Sequence, residues 1–262
     1  MSFSAAIVDL DGTVYRGGEL LPGAARGIAA LREAGLDVLF FSNNPTKNGA
    51  TYAADLAELG IEISPDRVYS AGAATTRYLG EHHADDALLV IGSEGLKAQL
   101  REAGLALTTD PEAAEALVVS WTDRFGYDDL QAALDAGEVP FYGTDPDRVV
   151  PTADGRMPGS GAIVDAVAGT IGHEPDAIFG KPSAVARRLV LDRLEASPEE
   201  CLVVGDRLDT DLLLGDRVGM TTILVLSGVT DRAAIGDGPV DPDHVLAGLG
   251  EVETVLEGAG RE

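Results

Sequence analysis

The amino-acid sequence predicts an α/β protein, a parallel-sheet core with a smaller α/β domain inserted into it. Short apolar runs such as "AAIVDL" and "CLVVGD" end in polar residues or glycine, as buried parallel strands do. Helical spacing alternates with these runs, which is a βαβ grammar. The stretch from about Asp85 to Ile171 differs in texture from its flanks. With 262 residues and 45% hydrophobic content, the chain can bury one sizeable core or a core with a smaller partner.

The first strand is predicted over residues 5 to 10. "PGAARGIAALREAGLDVLFFSNN" then supplies a helix, Gly35 suited to its C-terminus, and a strand "DVLFFS" that runs into asparagines. The pattern recurs in "TYAADLAELGI" and in "SEGLKAQLREAGLAL"; the repeated "LREAGL" reflects shared helix-to-strand punctuation and not an internal repeat. The middle carries "VVSWTDRFGYDDL", "VPFYGTDPDRVV" and the turn-rich "PTADGRMPGSG". Late in the chain, "SAVARRLVLDRLEASPEECLVVGD" gives a helix, a capping-box pattern from Ser197 to Glu200 and a strand ending in Gly-Asp. "MTTILVLSGV" supplies a further strand. The expected division is a core of residues 1–84 and 172–262 with residues 85–171 inserted.

Composition excludes several classes of partner. There are 44 acidic and 19 basic side chains, a formal net charge of -25, and only three lysines, Lys47, Lys97 and Lys181. Such a field repels nucleic acid and anionic lipid. Adaptation to high salt accounts for it, since at molar salt the Debye length falls to about 3 Å and self-repulsion is screened. No apolar stretch approaches the length of a bilayer span and no secretory leader is evident, so a soluble cytoplasmic protein is expected, its oligomeric state open, a homo-oligomer included. The single cysteine, Cys201, sits in an apolar run and reads as a core side chain.

The chemistry concentrates where strands end. In an open parallel sheet, functional residues gather beyond the carboxyl ends of the strands. Asp9 and Asp11 follow "AAIV", Ser42 and Asn43 follow "VLFF", Lys181 lies in "IFGKPS", and Asp206 with Asp211 lies in "CLVVGDRLDTD". Three carboxylates can hold a hard divalent cation such as Mg²⁺, while a hydroxyl, an amide and a lysine can grip phosphate oxygens. One carboxylate then faces phosphorus as a nucleophile. Gly12 allows a close turn, and Thr13 is expected to cap the next element of the chain.

"DLDGTVY", "FFSNNPTKN", "GKPS" and "GDRLDTD" stand in the order of the four motifs of the haloacid dehalogenase superfamily, so the sequence resembles that superfamily's phosphatases. "DGTVYRGGELLPGA", "IGSEGLKAQLREAG", "MPGSGAIVDAV" and "TTILVLSGVT" narrow the resemblance to the branch of p-nitrophenyl phosphatases, phosphoglycolate phosphatases and NagD-type phosphatases. It covers nearly the whole chain. The resemblance implies a Rossmann-like core with an inserted cap, Mg²⁺ as cofactor, and a small phosphorylated metabolite as substrate. It implies Asp9 as nucleophile and metal ligand, Asp11 as general acid and base with its main-chain carbonyl on the metal, Asp206 as the third protein ligand and Asp211 as an outer carboxylate. Ser42 and Asn43 would position phosphate oxygens, and Lys181 would neutralise phosphoryl charge. Thr122 stands where relatives usually carry an aspartate, so the cap's choice of substrate does not carry over. A phosphate-binding protein without turnover, or a phosphomutase, is the alternative.

Other residues are weaker candidates. Arg124 and Arg156 could meet a second anionic group, although surface arginine is the simpler reading. Trp121 and Tyr127 could wall a ring but read better as aromatics of the cap core. His82 and His83 have no clear metal-binding partners.

Overall fold

Ala5–Val8 is apolar at every position and buried throughout, so it needs cover on both faces. The computed structural model, which describes residues 3–152 and 155–259, supplies it within a six-stranded sheet. The strand order is His244–Leu246, Thr221–Val225, Cys201–Gly205, Ala5–Val8, Asp37–Ser42 and Val68–Ser70. Ala5–Val8 pairs in parallel with Cys201–Gly205 on one side and Asp37–Ser42 on the other, Val8 lying opposite both Val204 and Phe40. Alternate residues go to opposite faces. Ala6, Val8, Phe40 and Val204 pack with Ile28 and Leu31 of the helix Ala24–Glu33. Ala5, Ile7, Phe41 and Val203 pack with Ala186 and Val190 of the helix Ala184–Leu191.

Strand order reverses at Ala5–Val8, because the next strand of the chain lies on one side of it and a late strand on the other. That reversal opens a crevice at the carboxyl end, where the residues just past Val8, Val204 and Phe40 come level. The lower end is closed by ordinary packing: Cys201 is fully buried, its Sγ donates to Ser197 O at 3.2 Å, and burial pushes its thiol up to about 11. Ser197 and Glu200 form the expected capping box, here on the single 3-10 turn Pro198–Glu200.

A second sheet of five strands runs Ala177–Ile178, Phe141–Gly143, Ala116–Val119, Ala87–Ile91 and Ala106–Thr108, each neighbouring pair parallel. Leu89, Leu117, Val119 and Phe141 pack there against Ile163, Val164 and Val167 of the helix Ser160–Ile171. Two short hairpins complete the strands, Tyr15–Arg16 with Glu19–Leu20 and Val149–Thr152 with Gly155–Pro158. Ala153 and Asp154 of "PTADGRMPGSG" lie outside the described residues. Among the described residues no helix is long and apolar enough to cross a membrane.

The chain divides into two compact units, one holding the chain through Ser42, Gly49–Tyr69 and Ala186 onward, the other Asn43–Asn48 and Ser70–Val185. These divisions differ from limits at 85 and 171. The helix Ala71–His82 goes with the second unit because Tyr78 packs at a tilt against Phe179, at 4.6 Å between ring centroids, and edges onto Tyr142 at 5.6 Å. Segment 43–48 joins it because Gln99 Nε2 donates to Pro45 O at 3.0 Å. Tyr127 departs from the expected core placement: it is 79% exposed at the start of the helix Tyr127–Asp135 and belongs to no core, while Phe125 fills the apolar place nearby. Trp121 is partly buried, and Arg124 and Arg156 are exposed.

At the carboxyl end of the second sheet, Asp145 is buried. Its Oδ1 accepts from Asp147 N at 3.2 Å and its Oδ2 lies 3.1 Å from Thr144 Oγ1, which also donates to Ser120 Oγ at 2.9 Å. Burial, with the charge of Asp147 added, holds its pKa above the usual carboxylate range. Asp145 therefore binds its proton more tightly in the folded than in the unfolded chain. The stability it contributes is complete below about pH 4 and is lost as pH rises through its folded pKa. Asp145→Asn, neutral and nearly isosteric, should remove that loss. Scanning calorimetry is expected to show the variant's advantage over the native chain growing from about pH 5 to about pH 8; an Asn variant weaker by a constant margin at every pH contradicts this.

Candidate active site

The strand ladder itself aims the first carboxylate. Asp9 N donates to Val204 O at 2.9 Å, so Asp9 still belongs to the sheet, and the chain then turns sharply. Thr13, Val14 and Tyr15 all donate their N–H groups to Leu10 O, at 3.3, 2.8 and 3.1 Å, and Gly12 turns with φ 90°. Asp11 sits in that turn, partly buried and bridged to Tyr15 through the backbone. Thr13 does not act as a cap. Its hydroxyl is buried with no hydrogen-bond partner among the described residues, and the chain enters a hairpin instead of a helix.

Asp9, Asp206 and Asp211 are brought together: each is buried, and each offers an oxygen within 4.8 Å of the others'. Asp206 follows Cys201–Gly205 directly, and Asp211 lies on the turn Leu208–Leu212. Asp211 Oδ2 accepts from Arg207 N at 3.1 Å, which tethers that turn to the end of the strand. Three hard oxygen donors in one buried place suit a divalent cation such as Mg²⁺ or Ca²⁺. The steric setting agrees with a built site. A Cβ on Gly228 would fall 1.8 Å from Asp206 Oδ2, so the backbone closes on the carboxylate where any other residue would displace it. The side chain of Asp11 is not part of this set.

Ser42 ends its strand buried, and Tyr52 OH donates to its Oγ at 3.2 Å. With Oγ already accepting, the serine's own proton is directed elsewhere. Burial first, then the negative charge of Asp11, pushes the Tyr52 hydroxyl above its usual range, and burial with Asp11 does the same to Tyr15. Both phenols therefore stay protonated as neutral donors beside the acids.

Asn43 and Lys181 meet in the second unit, and they do so reciprocally. Lys181 N donates to Asn43 Oδ1 at 2.7 Å, and Asn43 Nδ2 donates to Lys181 O at 3.2 Å. Gly180 N donates to Thr144 O at 2.7 Å, which fixes the approach. Lys181 is only 2% exposed, unlike Lys97, which pairs with exposed Glu94 at 3.4 Å. Lys181 follows Ala177–Ile178, a strand of the second sheet, not of the sheet that carries Asp9. His83 is a satisfied buried histidine, Nδ1 lying 2.7 Å from Asp86 Oδ2 and Nε2 2.9 Å from Tyr142 OH. His82 is exposed and stacked on Tyr78.

Tyr52, Tyr15 and the main chain of Val229 lie beside these acids and were not legible there. Tyr52 falls at a helical core spacing, and Val229 acts through its main chain, donating from N to Asp206 Oδ2 at 2.6 Å. The only signals were the strings "DGTVYRGG" and "LSGVT", which name no role for these residues.

A family model described as haloacid dehalogenase-like hydrolase matches residues 6–106, and a HAD-hydrolase-like model matches residues 178–252. The chain is 34% identical over 257 residues to an acid sugar phosphatase of Staphylococcus epidermidis, covering 97% of this chain and 98% of the relative. It superimposes on a p-nitrophenyl phosphatase from Archaeoglobus fulgidus with a TM-score of 0.90 at 32% identity, covering 98% of this chain and 100% of that one. NagD from E. coli K-12 gives a TM-score of 0.84 at 28% identity, over 96% and 98% of the two chains. Matched along nearly its whole length, the chain belongs to the haloacid dehalogenase-like hydrolases, in the branch of NagD and the p-nitrophenyl phosphatases.

Proposed function

We propose that this chain hydrolyses small phosphate monoesters, sugar phosphates among them, with Mg²⁺ and through an aspartyl-phosphate on Asp9. The observation that carries the reading is the buried trio Asp9, Asp206 and Asp211 with Asp11 just off it. The names of relatives support it, acid sugar phosphatase and dihydroxyacetone phosphatase being two. Asp9 and Asp206 would hold the ion, with Asp211 beside them. Bound there, Mg²⁺ would supply positive charge to the carboxylates and to the phosphoryl oxygens.

The division of labour follows from placement. Asp9, in the cluster, stays ionised and attacks phosphorus as the bond to the leaving oxygen breaks. Asp11, outside the cluster, keeps a proton and gives it to that oxygen. In the second half-reaction Asp11 takes a proton from water, the water oxygen bonds to phosphorus, and the bond from phosphorus to Asp9 breaks to release inorganic phosphate. Ser42 and Asn43 are proposed to grip phosphoryl oxygens and Lys181 to balance their charge, roles that rest on the family likeness.

Asp9→Asn should abolish multiple-turnover release of free phosphate. Asp11→Asn should slow turnover by about 10²–10⁴-fold while Mg²⁺ affinity is nearly unchanged, measured by calorimetric titration beside steady-state kinetics. Equal losses of affinity and rate for Asp11→Asn would contradict the split of roles. Label from substrate phosphate ending in another organic molecule would identify a mutase, and stoichiometric binding without release a binder. The net charge of -25 supports a high-salt working environment, and the thermal midpoint is expected to rise from dilute buffer to about 1 M KCl, where the Debye length is about 3 Å. A flat or falling midpoint would remove the salt adaptation.

A further inference from the structure

We propose that Arg16 and Ser227 form a two-way clamp that fixes the carboxylate of Asp206 relative to the Asp9–Gly12 turn, and that the affinity of the acidic cluster for its cation depends on this clamp. The inference rests on reading Asp9, Asp206 and Asp211 as a cation site. It concerns two residues to which that reading gives no role.

The geometry closes on itself. Asp206 is 1% exposed, its main-chain O accepts from Thr230 N at 3.1 Å, and its Oδ2 accepts from Val229 N at 2.6 Å. The loop Ser227–Val229 therefore sets the plane of the carboxylate. That loop has little to hold it from its own side chains, since Gly228 has none and Val229 is 50% exposed. Its carbonyls also need donors. Arg16, on the hairpin that follows the Asp9–Gly12 turn, donates from its terminal guanidinium nitrogen to Ser227 O and, at 3.3 Å, to Gly228 O. Ser227 Oγ reaches the other way and donates to Gly12 O at 2.7 Å.

The turn and the loop are in close steric contact. A Cβ on Gly12 would lie 2.4 Å from Asp206 Oδ2 and 3.0 Å from Gly228 Cα. The turn, the loop and the carboxylate are thus in direct contact, and a shift in any one moves the others. Arg16 is suited to the task because one terminal nitrogen of its planar guanidinium carries two N–H groups in fixed directions toward the adjacent carbonyls, which a rotating lysine ammonium presents less rigidly. Partners that orient a ligand in this way are worth about 10–100-fold in metal affinity.

The test uses Arg16→Met, Arg16→Lys and Ser227→Ala in the full chain, with Mg²⁺ affinity by calorimetric titration and exchange protection of the Val229 amide by hydrogen exchange. Arg16→Met and Ser227→Ala should each weaken Mg²⁺ by about 10-fold or more and reduce Val229 protection, with Arg16→Lys between Arg16→Met and the native chain. Because the two residues serve one clamp, the double variant should lose less than the sum of the single losses. Activity at saturating Mg²⁺ should recover most of the native rate, a split that general destabilisation does not produce. Native Mg²⁺ affinity and native Val229 protection in Arg16→Met, or in Ser227→Ala should Arg16→Met not fold, would overturn the clamp. A native chain that binds no divalent cation would instead overturn the reading of the acidic cluster, and the clamp's purpose with it.

Discussion

Three carboxylates held within 4.8 Å of one another, none more than 7% exposed, form the constraint on which the rest of the site depends. At such a spacing each like-charged pair repels by on the order of 3–4 kcal/mol even at an effective dielectric of 20. Left to local preference, the three would move apart, which the sheet prevents. Asp9 is held on the ladder by Val204, Asp206 sits at the end of the neighbouring strand, and Asp211 is tied back by Arg207 N. A cation placed among them would relieve that repulsion, and three hard oxygen donors suit a divalent ion.

Burial and the acids Asp11 and Asp9 raise the phenols of Tyr15 and Tyr52, so both remain neutral donors and add no further charge. Tyr52 spends its proton on Ser42 and so orients the hydroxyl that ends the neighbouring strand. Arg16 comes near in the fold, yet its guanidinium is turned to main-chain carbonyls at Ser227 and Gly228. In that orientation Arg16 acts on the loop whose Val229 N–H meets Asp206.

The core strands were legible because burial on both faces leaves little freedom in composition. "AAIV", "DVLFFS", "CLVVG" and "TTILV" could hardly be anything else, and the polar residues that end three of them are Asp9, Ser42 and Asp206. The extent of the inserted unit was not legible. Membership of the helix Ala71–His82 and of segment 43–48 is decided by contacts such as Tyr78 on Phe179 and Gln99 on Pro45, between residues more than fifty positions apart. Tyr127 was misplaced for a related reason: an aromatic at a helix start has the same local pattern whether or not a partner face exists for it. The clamp was invisible for a third reason. Arg16, Ser227 and Val229 act on or through main-chain atoms across separations of more than two hundred residues for the first two, and main-chain donors leave no trace in residue type.

The same residue type thus serves two opposite electrostatic ends in one chain. Most of the 44 acidic side chains contribute to a net charge of -25 that mobile ions can screen, so their mutual repulsion fades as salt rises. Mobile ions screen a buried cluster far less, because screening needs solvent between the charges. Asp9, Asp206 and Asp211 therefore keep their mutual repulsion under conditions in which the surface has lost its own. A strongly acidic chain can in this way remain folded in concentrated salt and still present a sharply localised negative site. The contacts that shape that site are consistent with such conditions: Val229 N on Asp206, Arg207 N on Asp211 and Arg16 on two carbonyls are hydrogen bonds to or from the main chain, not exposed ion pairs that salt would dissolve.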